Sequence, residues 1–114
     1  MNAPQVQQLS ADLCVALQLD PSAMAWAAQT GFKSVINNRP DFEGGPEQPT
    51  SAVMQAAAMA AGLRYAFLPV APSVQTPQEI ARFAELLNEL PKPVLAYCRS
   101  GTRSGKLFHA ATGG

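Results

Sequence analysis

The chain reads as an α/β domain, a mainly parallel sheet flanked by helices. Three observations predict this. Short apolar or β-branched runs at 33–37, 64–70 and 94–97 alternate with longer helix-forming stretches. The helical stretches open and close on recognisable start and stop residues. The run Val94-Leu95-Ala96-Tyr97 is apolar without alternation, as a central strand covered on both faces requires.

Taken in order, residues 6–9 and 14–19 are expected as short strands around a Ser10-Ala11-Asp12 turn. Asp20-Pro21 marks a helix start, Asp as N-cap and Pro at the first helical position. That helix runs to about Gln29 and stops at Gly31. Val35 and Ile36 make 33–37 a buried strand. Residues 39–50 form a loop rich in Pro and Gly that carries Asp41, Glu43 and Glu47. Residues 51–61, rich in Ala and Met, form a helix ended by Gly62. The strand at 64–70 follows, with Tyr65 and Phe67. Thr76-Pro77-Gln78-Glu79 is a capping box with Pro at the first position. The helix it opens carries Ile80, Phe83, Leu87 and Leu90 on one face and ends at Pro91 and Pro93. A last helix is expected to run to about Ala111.

The 114 residues, 47% of them hydrophobic, suit one domain spanning 1–114. Formal net charge is zero, which points away from nucleic-acid and membrane partners. The 2 cysteines and 1 histidine are too few for a closed zinc site, and no metal or other cofactor is expected. A disulfide framework is equally unexpected. The start Met1-Asn2-Ala3-Pro4-Gln5 lacks the features of a secretory signal, and no apolar run approaches a membrane span. The expected setting is therefore the reducing cytoplasm.

Cys98-Arg99-Ser100-Gly101-Thr102-Arg103-Ser104 concentrates the chemistry. It lies between the apolar run and the last helix. Strand, tight loop and helix together present backbone N–H groups to an anion. A helix N-terminus and two arginines favour the thiolate over a thiol of ordinary pKa, about 8.5. Parallel α/β folds place ligands at the carboxyl ends of strands, where this loop is expected. Cys98 and Arg103 are the candidate catalytic residues. Arg99, Ser100, Gly101, Thr102 and Ser104 are the candidate anion-binding residues.

Loop length separates two chemistries. Four residues stand between Cys98 and Arg103. Tyrosine-type phosphatases place five there, often with His before the Cys; here Tyr97 holds that position. Rhodanese-type sulfurtransferases commonly place four. The longer ring suits a tetrahedral phosphoryl group, and the shorter one a single sulfur carried as a persulfide. A phosphatase also needs a carboxylic acid for its leaving oxygen. The segment where one is expected, 68–74, has none. Asp41 or Glu43 are the alternatives for that acid, from another loop.

Most of the chain, from about Leu9 to Phe108, resembles the phosphatase-like domain of the beta-lactamase hydrolase-like protein family. The resemblance is carried by residues 31–41, by Ala61-Gly62-Leu63-Arg64-Tyr65 with Leu68-Pro69-Val70, and by 93–104. It implies a tyrosine-phosphatase-like architecture of the phosphotyrosine protein phosphatase II kind. It also implies two activities: phosphatase-like by fold, sulfurtransferase by association with persulfide dioxygenase-type domains. Cys98 is then the nucleophile, Arg103 the anion-binding arginine and 99–104 the cradle. Asn38, Arg39 and Asp41 are expected to flank the pocket. The implied partners are a small anionic sulfur donor, a thiol acceptor and a persulfide dioxygenase-type partner.

The remaining chemistry-bearing residues have structural readings beside functional ones. Cys14 is a core residue or a resolving thiol for Cys98. His109 is a surface residue or a general base, and Met24 and Trp26 are core rather than substrate platform. The 41–47 carboxylates are solvated, or Asp41 pairs with a loop arginine. Ser104 hydrogen-bonds the thiolate, caps the last helix, or does both. The expected function is sulfur transfer through a Cys98 persulfide, with phosphatase-type hydrolysis through a cysteinyl-phosphate as the alternative.

Overall fold

A computed structural model describes residues 4–113 of the chain. Five strands form one sheet: β1 (Val6–Ser10), β2 (Leu13–Ala16), β3 (Ser34–Asn37), β4 (Arg64–Phe67) and β5 (Val94–Tyr97). Four helices cover it: α1 (Ala23–Thr30), α2 (Ser51–Ala60), α3 (Pro77–Glu89) and α4 (Thr102–Thr112). The strand order is β1-β2-β5-β3-β4, with β1 antiparallel to β2 and all other pairs parallel. This is the α/β architecture expected from the alternation of elements.

β5 sits at the centre, and its register explains its composition. Leu95 and Tyr97 pack into the layer beneath α1 and α2, with Met24, Ala27, Val35 and Met54. Val94 and Ala96 pack into the opposite layer with Leu13, Ile36, Phe83 and Leu107 from the α3 and α4 side. Both faces are apolar because both are covered. Across the sheet, Tyr97 lies opposite Ala16 on one side and Asn37 on the other. The end of β5 is therefore level with the ends of β2 and β3.

The helix signals act as expected in two cases and shift in a third. Thr76 and Glu79 form the reciprocal capping box that opens α3, with Pro77 in its first turn. α2 ends at Ala60 and Gly62 follows with φ +84°, a conformation open to glycine. α1, however, starts at Ala23 rather than Pro21. Pro21 and Ser22 form a turn, and the Asp20 carboxylate still accepts from the Ala23 N–H at 3.1 Å.

Two strands are shorter than expected. β2 stops at Ala16 because Gln18 N–H turns away to donate to the Arg99 carbonyl. β4 stops at Phe67 because Pro69 has no N–H for a ladder. Leu68 and Val70 donate to the carbonyls of Asn37, the last residue of β3, and of Asn38, the next. In α3, Ile80, Phe83, Leu87 and the following Leu90 all face the core as expected, and the buried Leu86 widens that face.

Met24 is fully buried and Trp26 half-buried against Phe32, as core residues. Among the described residues no helix is long and apolar enough to cross a membrane. Residues Met1 to Ala3 of the expected N-terminal reading, and Gly114, lie outside the described residues. Phe83, with no exposed surface, is the largest side chain that α3 buries in the layer shared with α4. Its replacement by Ala is expected to lower unfolding free energy by about 3–5 kcal/mol, measured by urea titration.

Candidate functional site

Every parallel strand ends on the same edge of the sheet, and each supplies part of one site. Gln18 follows β2, Asn38, Arg39 and Glu43 follow β3, Val70 and Pro72 follow β4, and residues 98–104 follow β5. The strand order sets the β5 loop between those of β2 and β3.

Cys98 is 1% exposed, and its N–H donates to the Ala16 carbonyl at 3.4 Å. The Gly101 N–H donates to the Cys98 Sγ at 3.1 Å. Gly101 makes this turn with φ +88°, and a Cβ there would sit 3.4 Å from the Ala16 carbonyl oxygen. Glycine alone meets both demands comfortably. α4 begins immediately after it, so the loop feeds the end of a helix whose first N–H groups lack helical partners.

Arg103 is nearly buried and heavily bonded. Its Nη1 donates to Glu43 Oε2 at 3.1 Å and to the Val70 carbonyl at 3.0 Å. Its Nη2 donates to Glu43 Oε1 at 3.1 Å. Arg39 meets the same carboxylate: its Nε donates to Glu43 Oε1 at 2.9 Å and its Nη1 to Gln18 Oε1 at 3.2 Å. Glu43 thus bridges two arginines, one 4 residues before it and the other 60 residues after it. Burial alone would raise its carboxyl, but the hydrogen bonds and charges of Arg103 and Arg39 outweigh that and hold it below the ordinary range.

The backbone around Glu43 is built for this reach. Phe42 adopts φ +65°, uncommon for a bulky residue, and the following carboxylate turns inward. Gly44 packs against the Arg39 guanidinium so closely that a Cβ would lie 2.8 Å from Nη2. Its N–H donates to Gln48 Oε1 at 2.7 Å, and Gln48 Nε2 donates to the Pro40 carbonyl. Arg39, Glu43, Gly44, Pro72, Arg99 and Arg103 line a cavity of about 540 Å³.

Asn38 ties the segments together from beneath. Its Oδ1 accepts from the Ser104 hydroxyl at 2.8 Å, its Nδ2 donates to the Leu68 carbonyl, and its N–H donates to the Tyr97 carbonyl. Tyr97 points into the α1–α2 layer beside Tyr65, where its hydroxyl finds no hydrogen-bond geometry among the described residues. Burial pushes its phenol well above the ordinary range, and Tyr65 and Asp41 push the same way.

Several expected roles change. Asp41 does not meet a loop arginine; its Oδ1 accepts from the Ser51 N–H at 2.7 Å, at the start of α2. Glu43, two residues further, has the reach that the Phe42 turn provides. Ser104 donates to Asn38, which uses its hydroxyl proton away from the thiol, and it lies inside α4 rather than capping it. Ser100 and Thr102 are exposed, bond each other at 3.1 Å, and line a different groove of about 460 Å³ with Lys106 and His109. Arg99 lines the arginine cavity. His109 is exposed on α4 against the Phe108 ring.

Cys14 is half-buried in β2, where burial raises its thiol. It lies opposite Leu95, three residues before Cys98, a separation of about 10 Å along a strand. That exceeds disulfide reach, so the core reading holds. Among the described residues no three His, Cys, Asp or Glu side chains come together as a metal site would require.

Comparison with known proteins then places the chain. A family described as "Beta-lactamase hydrolase-like protein, phosphatase-like domain" matches residues 5–114. The chain belongs to this family. A beta-lactamase hydrolase-like protein of Agrobacterium fabrum is 44% identical over 78 residues, covering 68% of this chain but 18% of that relative's length. A candidate phosphatase from Neisseria meningitidis superposes with a TM-score of 0.82 at 33% identity, covering 89% of this chain and 71% of its own. The core catalytic domain of a PP-IP phosphatase from S. cerevisiae, solved with citrate, superposes with a TM-score of 0.71. Its identity is 14%, covering 93% of this chain and 64% of that one, a likeness of fold. The phosphatase-like domain therefore has the expected tyrosine-phosphatase-like architecture. These relatives weigh toward phosphatase-type hydrolysis over the sulfur transfer expected from the loop.

Because the folded Glu43 carboxyl is held low, its contribution to stability is present above the unfolded carboxylate range and lost as pH falls through the folded value. Glu43→Gln is expected to lower Tm most near neutral pH, with the gap to the parent chain closing in acid. Thermal melts across a pH series measure this.

Proposed function

We propose that Cys98 is the nucleophile of a group transfer, and that the group is a single sulfur atom drawn from a small anionic donor such as thiosulfate. One observation carries the choice: among the described residues of these loops, each carboxylate that could protonate a leaving oxygen is already engaged. Asp41 is engaged at the start of α2, Glu43 is held ionised between two arginines, and residues 68–74 contain no carboxylate. Sulfite leaves as a stable anion and needs no such acid.

In the first step the Cys98 thiolate attacks the outer sulfur of thiosulfate. The Cys98 S–S bond forms, the donor S–S bond breaks, and sulfite departs with the electron pair. In the second step cyanide or an acceptor thiolate takes the outer sulfur, and the Cys98 thiolate returns. This is covalent catalysis in two stages. Arg103 and Arg99, from the Cys98 loop and its helix, line one cavity and would supply positive charge for the donor and for sulfite. A persulfide dioxygenase-type partner would consume a persulfide made this way.

The family and its solved relatives support a second reading, hydrolysis of a phosphate ester through a cysteinyl-phosphate. On that reading Asp41 would leave the Ser51 N–H to serve as the acid. The two readings part on one measurement. After incubation with thiosulfate, intact-mass spectrometry is expected to show one added sulfur on Cys98, absent from Cys98→Ser. Failure to load sulfur, together with aryl-phosphate hydrolysis that falls with Asp41→Asn, would decide for phosphoryl transfer. Under the sulfur reading, Arg103→Met is expected to lower kcat/KM for thiosulfate by about 10²–10³-fold in a thiosulfate:cyanide assay.

A further inference from the structure

We infer that the groove on the other side of the cysteine loop is a second binding site, one for a small amphiphilic anion such as an aliphatic carboxylate. It does not depend on which group Cys98 transfers. The loop parts two spaces. Arg99 lines the arginine cavity, whereas Ser100 and Thr102 line a groove of about 460 Å³ between α4 and the β1–β2 side of the sheet. No residue lines both. The groove has the size of a small-molecule site, about 300–1,000 Å³.

Gly105 is the observation that asks for an occupant. It sits one turn inside α4, where glycine is less favourable than any residue but proline. Two structural reasons commonly keep a glycine in such a place, a left-handed backbone and a close neighbour. Neither holds here. Its φ lies outside the left-handed region, and a Cβ added to it would meet nothing of the surrounding fold within 4 Å. Gly105 does line the groove, so the space a side chain would take is groove space. Bare backbone at this point lets a ligand lie close against the helix.

The walls set the chemistry of that ligand. Leu9, Val15 and Leu17 supply apolar surface, and Leu17 is one of the large apolar side chains that the fold leaves exposed, at 47%. A bound hydrocarbon chain would take it out of water. Lys106 supplies a positive charge and has no ion-pair partner among the described residues. No acidic side chain lines the groove. Thr102 lies one turn before Lys106 on the same helix face. Its oxygen accepts from the Ser100 hydroxyl, which leaves its own hydroxyl proton to donate. An anionic head at Lys106 and Thr102, with a short hydrocarbon chain over Leu17, satisfies both kinds of wall. A cation, or an anion without an apolar body, does not.

The test is a titration of the isotope-labelled chain with hexanoate, followed by amide NMR. The amides of Leu17, Gly105 and Lys106 are expected to shift together and saturably. Acetate is expected to bind at least about tenfold more weakly, for want of the apolar contact. Hexylammonium is expected to leave these amides unmoved, and Lys106→Gln to weaken hexanoate about fivefold. Two glycine variants separate the ligand from the fold. Gly105→Ala is expected to raise Tm by about 3–6 °C, alanine being the better helix former. Gly105→Met is expected to melt no lower than the parent chain and to lose hexanoate binding, because its side chain fills the groove. A lower Tm for Gly105→Ala shows that the fold itself requires the glycine, and overturns the inference. So do shifts confined to Arg39 and Gly44 of the arginine cavity, an equal response to hexylammonium, no response to hexanoate, or unimpaired binding by Gly105→Met.

Discussion

Asn38 spreads its polar groups over three segments. Its backbone N–H holds the last carbonyl of β5, its Nδ2 holds the chain beyond β4, and its Oδ1 takes the hydroxyl of Ser104 in α4. It has no exposed surface, so each of these bonds replaces water rather than competing with it. Losing one would leave a buried partner unsatisfied, a cost of about 1–3 kcal/mol. This junction fixes the height at which the cysteine loop leaves the sheet. The placement of Cys98, the start of α4 and the reach of Arg103 all follow from it.

Above that junction the site is organised by charge. Three arginines face one cavity, and unopposed they would repel one another in a poorly solvated space. A single carboxylate relieves this for the two that are buried and leaves the exposed Arg99 to solvent or substrate. The arrangement suits anion capture and suits poorly any step that needs a proton from Glu43. Fold and site thus carry different information. The scaffold is that of phosphatases, while the site is set by which carboxylates and arginines its loops bring together.

What could be read from the sequence was what is local. The capping box at Thr76, the apolar β5 and the cysteine loop each announce themselves within a few residues, and each stands where expected. Element ends were less legible. β4 stops early because Pro69 interrupts a ladder whose partner lies some thirty residues away. Asp41 and Glu43 stand two apart in a loop without periodicity, and nothing in their spacing tells which one meets Arg103. The left-handed turn at Phe42, a residue type with no preference for it, decides the matter. Asn38 joins three segments beside the pocket it is expected to flank, and asparagine after a strand does not signal that joining role by itself.

The central place of β5 bears on how the chain is made. In order of synthesis β2 and β3 are consecutive strands, yet they are not neighbours; the slot between them belongs to the strand formed last. Until β5 arrives, both hold open edges toward an unfilled gap. Glu43 emerges 60 residues before Arg103, roughly 3–12 s at ordinary rates of translation. Over that interval the nascent chain carries two unpaired strand edges, the state most prone to pairing with another molecule. Chaperone protection is therefore most valuable between the emergence of β3 and of β5, and the anion pocket is among the last features of the domain to exist.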